Sequence, residues 1–278
     1  MTKVDFNELL DAGCHFGHLR RKWNPYMAPY IFMEKNGIHI IDLYKTIEKL
    51  DEACAAAKQI AKSGRKILFV ATKKQAKDSV AELVKKIGMP YVTERWPGGM
   101  LTNFTTIRKA VKKMSNIDRL MASEQFKSLS KREKLQIQRE RGKLEKDLGS
   151  ISDLTRLPAA VFVVDVLKEH IAVAEARRLN IPLFAIVDTN SNPKLIDFPI
   201  PANDDASKSI SLIVKTVCDA IAEGLEERKY DKDSQEEENI DIDEIDTIDA
   251  KYLDDESDEE EEQEIAKKSS TATVKKVK

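Results

Sequence analysis

Apolar residues follow three patterns along the chain: short unbroken runs, helical three-and-four spacing, and a long sparse seam. Ile67-Leu68-Phe69-Val70-Ala71 and Ala160-Val161-Phe162-Val163-Val164 are unbroken runs that suit strands buried on both faces of a parallel sheet. Pro182 to Val187 predicts another strand, Tyr91-Val92 a short one, and Phe198-Pro199-Ile200-Pro201 an edge segment, where proline is tolerated. Helical spacing marks Val4 to Ala12, the stretch from Asp42 to Gly64, Gln75 to Ile87, Glu169 to Leu179, and Ala206 to Gly224. Ile31-Phe32 and Ile38 to Ile41 flank Lys35-Asn36-Gly37, and Asn-Gly between apolar runs signals a β-hairpin. His15 to Pro29 reads as a polar and aromatic loop. Strands alternating with helices predict a doubly wound parallel sheet.

The stretch 105–149 interrupts that alternation. Ile107, Val111, Met114, Ile117, Leu120 and Met121, then Leu129, Leu135, Leu144 and Leu148, form a seam too narrow to lie inside a core. A polar break from Ser123 to Ser130 predicts two antiparallel helices, a coiled-coil hairpin. The expected organisation is an α/β domain made of 1–104 and 150–229, a basic hairpin inserted at 105–149, and a disordered acidic tail over 230–278.

Charge sharpens this division. The formal net charge of the chain is -2, but 230–278 holds 19 acidic and 7 basic residues, which leaves 1–229 with 39 basic and 29 acidic. The insertion alone carries 13 basic against 6 acidic residues. A cationic body with an acidic tail points to a polyanionic partner. Cys14, Cys54 and Cys218 are dispersed and odd in number, which argues against a disulfide framework or a cysteine zinc finger and fits a reducing, cytoplasmic setting. The start has no apolar stretch typical of a signal peptide, and no apolar run reaches the roughly 20 residues of a membrane span.

Catalytic and metal signals are sparse. His15 and His18 flank Gly17 beside Cys14, yet His39 and His170 supply no second ligand pair, so no metal is expected. Asp165 and Asp188 each follow a predicted strand, where doubly wound enzymes place ligands. A nucleotide- or phosphate-ligand-binding enzyme on this fold is therefore the alternative. It lacks a glycine-rich phosphate loop, because Lys73 and Lys74 stand where glycines would. No cofactor and no small-molecule substrate are expected. A third reading, a protein-only adaptor, would use the hairpin and tail.

Basic and aromatic residues carry the stronger signal. Arg20-Arg21-Lys22-Trp23 and Arg95-Trp96 place cations beside indoles, suited to phosphate contact and base stacking. Lys73, Lys74, Arg108, Lys109, Lys112, Lys113, Arg132 and Arg139 complete the expected RNA-binding set.

The chain resembles the bacterial small-subunit ribosomal protein S-two family. The matching segments are Gly13-Cys14-His15-Phe16-Gly17-His18, Trp23-Asn24-Pro25, His39-Ile40-Ile41-Asp42-Leu43, Ile67 to Lys73, Arg95-Trp96-Pro97-Gly98-Gly99-Met100-Leu101-Thr102-Asn103, Phe184 to Asn190, and Ile200 to Ala206, in the family's order. The resemblance implies a flavodoxin-like sheet with a coiled-coil insertion and no catalytic activity. It also implies binding to 16S ribosomal RNA where head meets body in the small (30S) subunit, beside neighbouring subunit proteins including the mRNA-recruiting S-one protein. Arg21 falls on the family's arginine. Leu19 and Arg20 replace its usual polar pair, Pro97 replaces its leucine, and the tail is longer than is common in the family.

Overall fold

The structure is a computed structural model that describes residues 4–231; the expected acidic tail lies, from 232 on, outside the described residues. The described residues up to 228 form one compact unit. Five parallel strands build its centre: β4 (Ile67–Val70), β5 (Tyr91–Val92), β6 (Ala160–Val164), β7 (Leu183–Val187) and β8 (Phe198–Pro201), in the spatial order β5-β4-β6-β7-β8. Renumbered within this sheet the order is 2-1-3-4-5, the doubly wound order of flavodoxin-like folds, with its switch point between β4 and β6. Registers are regular: Phe69 lies opposite Phe162, and Phe162 opposite Phe184.

Alternation along these strands builds two cores. Phe69, Phe162, Phe184 and Ile200 face α2 (Leu43–Lys62), α3 (Lys77–Lys86) and the final helix α8 (207–231), and Leu9 of α1 (Phe6–Asp11) joins the same core. Leu68, Val161, Val163 and Ala185 face α7 (His170–Arg178) and the Trp96 loop. Each of these strand side chains sits at 0–1% exposure, and the three central strands β4, β6 and β7 are buried along their whole length.

A second sheet has three antiparallel strands: β1 (Phe16–Leu19), β3 (Ile38–Ile41) and β2 (Ile31–Lys35), with β3 central. The predicted hairpin is present. Asn36 and Gly37 both have positive φ, 53° and 75°, the signature of a type I′ turn. Strand β1 lies inside the stretch expected to be a loop. Its backbone is held by β3 and by Thr189 far along the chain, contacts that local pattern does not encode.

Helix α8 also differs from expectation, running through Gly224 to 231. Gly224 is not a stop signal here. A Cβ on it would lie 2.5 Å from the Lys58 carbonyl oxygen and 3.1 Å from the Ala61 Cβ, so its missing side chain lets α8 press against α2.

The insertion consists of α4 (Phe104–Ala122), the short α5 (Glu124–Ser128) and α6 (Lys131–Leu148). Helices α4 and α6 run antiparallel, joined by Lys113–Glu140 and Arg141–Asp118 ion pairs. A Ser130–Glu133 capping box starts α6. Ile107, Val111, Met114 and Ile117 are buried along α4. On α6 the inward positions are Ile137, Arg141, Leu144 and Leu148, whereas Leu135, expected in the seam, is 48% exposed. The base of the insertion belongs to the core, since Ile107, Val111 and Leu148 pack with Leu68, Val163 and Ile151.

Candidate nucleic-acid interface and the charge cluster at the strand ends

The carboxyl ends of three parallel strands converge on one lysine. Lys73 follows β4, and its Nζ lies 3.2 Å from Asp165 Oδ2, 2.8 Å from Asp204 Oδ1 and 2.7 Å from Asp205 Oδ1. Asp165 follows β6 with φ at 69°, a left-handed conformation unusual for a residue with a side chain. Burial pulls the Lys73 pKa down, but its bonds to Asp204 and Asp205 and the nearby charges outweigh this and raise it. Burial and the charges of Asp188 and Asp165 push the Asp204 carboxyl up to about 7, against the pull of Lys73. Glu169 receives the Thr72 N–H at 3.1 Å and also bonds the Thr72 hydroxyl. Side chains of the chain itself thus fill the place where doubly wound enzymes bind ligands.

The three-stranded sheet is tied to these strand ends. The His18 N–H donates to Thr189 Oγ1 at 2.8 Å, and the Asn24 N–H donates to the Thr189 carbonyl at 2.8 Å. Asn203 donates to the Gly13 and Cys14 carbonyls. A Cβ on Gly17 would meet Thr189 Cγ2 at 2.6 Å and the His39 carbonyl at 3.0 Å, so glycine is what lets β1 lie this close. His18 Nδ1 lies 2.9 Å from Asp188 Oδ2, and that bond raises the His18 pKa in spite of burial.

His18, Asp188 and Asp204 offer ligand atoms within 4.8 Å of one another, a donor set that could hold a divalent cation. The sequence predicts no metal, for want of a second His or Cys pair. The fold brings carboxylates from the far end of the chain instead, and His15 is not in the group.

A second buried carboxylate organises the Trp96 loop. Glu175 on α7 accepts from Trp96 Nε1 at 3.1 Å and from the N–H groups of Gly99, Leu101 and Thr102 at 2.8, 3.0 and 3.1 Å, and it also accepts from the Thr102 hydroxyl. Burial alone would raise its pKa, but these donors favour the charged form and hold it below the ordinary value. Gly99 takes φ of 85° within this bend. Helix α4 starts directly after the loop, so Glu175 also fixes the root of the insertion.

The expected RNA-binding residues divide by environment. Arg21, Lys22, Lys74 and Arg95 are exposed without an ion-pair partner among the described residues, and Arg20 pairs with Glu34 at 3.4 Å. Trp23 is 37% exposed and tilts against His39, with ring centroids 5.2 Å apart, whereas Trp96 is buried on Glu175. Lys73 is committed to its carboxylates. On the insertion, Lys109, Lys112, Arg132 and Arg139 are exposed and unpaired among the described residues. Lys113 is paired with Glu140, and Arg108 donates to the Leu154 carbonyl at 3.1 Å. Arg119 and Lys143, absent from the expected set, are as open as their neighbours. Helical spacing from Lys112 and Arg139 would have found them.

A flavodoxin-like sheet whose strand ends carry their own paired charges, with open cations on the body and on paired helices, defines an α/β scaffold with a cationic surface. The profile of the family described as "Ribosomal protein S2" matches residues 9–224. The "Small ribosomal subunit protein uS2" of Phocaeicola vulgatus is 70% identical over 232 residues, 84% of this chain and 83% of that protein. The proteins of the same description from Porphyromonas gingivalis and Bacteroides fragilis are 69% and 68% identical; each match covers 84% of this chain, with 83% of the former and 84% of the latter. The chain belongs to the ribosomal protein S2 family, whose members are structural and not catalytic.

Proposed function

We propose that this chain is a structural constituent of the small ribosomal subunit. There it binds 16S ribosomal RNA at the junction of head and body, contacts neighbouring subunit proteins, and helps to hold the mRNA-recruiting S-one protein. The relatives named as small-subunit proteins over most of their length support the setting. The observation that carries the RNA reading is the set of cations that are exposed and without an ion-pair partner among the described residues: Arg21, Lys22, Lys74 and Arg95 on the body, and Lys109, Lys112, Arg132 and Arg139 on the insertion. Such cations gain by displacing counterions from phosphate. The contact with S-one rests on the family resemblance.

In this reading α4 and α6 act as a coiled-coil arm on the α/β body, with divisions at 104/105 and 149/150. Glu175 and the buried base of α4 hold that arm in a fixed direction. The test is filter binding of 16S RNA to the purified chain across a salt series. Affinity should fall linearly in log–log form. R21Q/K22Q/R95Q should flatten the slope by roughly 2 to 3, about 0.9 for each phosphate that is no longer neutralised. A slope unchanged in this variant rejects these residues as phosphate ligands.

A further inference from the structure

The open cations of the insertion form two stripes that face opposite ways. On α4, Lys109, Lys112, Asn116 and Arg119 recur at spacings of three and four and are all exposed. On α6, Arg132, Gln136, Arg139 and Lys143 do the same. Each stripe lies on the far side of its helix from the residues that face the partner helix: Ile107, Val111 and Met114 on α4, and Ile137, Arg141 and Leu144 on α6. The two helices are antiparallel neighbours, so the stripes point away from each other. Two helices, each about 10–12 Å across, hold them roughly 20 Å apart.

Between its first and last cation neither stripe contains a carboxylate; Asp147, four residues beyond Lys143, is half-buried at the base of α6. The other five acids of the insertion sit at its flanks and ends, where they are used internally. Asp118 and Glu145 hold Arg141, Glu140 holds Lys113, Glu124 holds Lys127, and Glu133 caps α6 through Ser130. A helix face kept soluble by charge alone mixes both signs. Here the signs are sorted, leaving two cationic strips with a polar amide in each. Arginine and lysine at this spacing suit a phosphate backbone, and the amides add neutral hydrogen bonding.

We propose that the arm is two-sided: it lies between two separate RNA segments and grips the phosphate backbone of one through α4 and of the other through α6. A single groove cannot reach both stripes, because the width of the paired helices separates them. The inference rests on the RNA-binding reading above and adds to it that the arm cross-links RNA.

The test uses the full chain and two unrelated RNA duplexes of about 20 base pairs, one immobilised and one fluorescent. The wild-type chain on the first duplex should capture the second. K109Q/K112Q/R119Q and R132Q/R139Q/K143Q should each reduce captured fluorescence at least fivefold while still binding a single duplex. Each should also lower the salt slope by roughly 2 to 3. Glutamine keeps helix propensity, and circular dichroism checks the fold. K127Q, at an internal ion pair, should leave capture near the wild-type level. If one stripe variant captures as well as wild type, the arm is one-sided and the proposal fails. A chain that binds one duplex and captures no second overturns the two-sided arm alone; a chain that binds neither duplex overturns the RNA reading as well.

Discussion

The indole N–H of Trp96 and the carboxylate of Glu175 lie 3.1 Å apart, and three backbone N–H groups of the following residues converge on the same carboxylate. A buried anion thus adds to the bend's own bonds, in which the Met100 N–H donates to the Pro97 carbonyl at 3.1 Å and the Asn103 N–H to the Gly99 carbonyl at 2.7 Å. Glu175→Gln keeps the size but points an NH₂ group at donors. It should cost about 2–4 kcal/mol, the range for removing a charged acceptor from buried donors. At about 2–4 °C per kcal/mol for a domain of this size, the melting temperature should fall by roughly 5–15 °C. A melting temperature within a degree of wild type would show that the loop is held by packing alone.

Acid should act through the same residue. The folded pKa of Glu175 is lowered below the ordinary glutamate value of 4.5. Its stabilisation is therefore complete above that value and is lost as pH falls through the folded pKa. Below about pH 4.5, wild type should lose stability faster than Glu175→Gln. Parallel curves in urea titrations at several pH values would contradict this.

Lys73 is the cation that makes three clustered aspartates tolerable. Lys73→Met removes the charge with little change in volume and leaves Asp165, Asp204 and Asp205 facing one another. Breaking such a buried pair costs about 3–5 kcal/mol, so thermal unfolding should move down by on the order of 10 °C. Adding Asp204→Asn to that variant should recover part of the stability. Additive effects of the two substitutions would show that they do not interact.

The three thiols are buried. Burial, aided by neighbouring acids, pushes Cys54 and Cys218 up to about 12. Burial also raises Cys14, against a bond from Ser209. An aromatic disulfide reagent at pH 8 should find no fast-reacting thiol in the native chain and all three after denaturation. Rapid reaction of the folded chain would place a cysteine at the surface.

Much of the scaffold is legible before folding because it is written in local pattern. The runs 67–71 and 160–164 are short, unbroken and rich in β-branched and aromatic residues, which favours strands covered on both faces. Asn36-Gly37 specifies its turn through two positive φ angles. What pattern misses is long-range. Phe16-Gly17-His18-Leu19 has no apolar alternation and becomes a strand only because Thr189 and β3 hold it. Glu175, between two alanines on a helix, reads as a solvent-facing residue until the Trp96 loop closes over it. Lys73 reads as a phosphate ligand until three aspartates from later in the chain surround it. Leu135 reads as part of a seam, but the helix turns it outward and places Ile137 and Arg141 inward. Open cations and committed cations look alike in sequence; only the positions of the carboxylates separate them.

That the chain is a part of the small ribosomal subunit, held there through RNA, is tested most directly by sucrose-gradient sedimentation of a lysate from growing cells, probing for this chain. The chain should sediment in the small-subunit and whole-ribosome fractions and move to the top of the gradient after ribonuclease treatment. A chain found at the top of the untreated gradient would contradict the account.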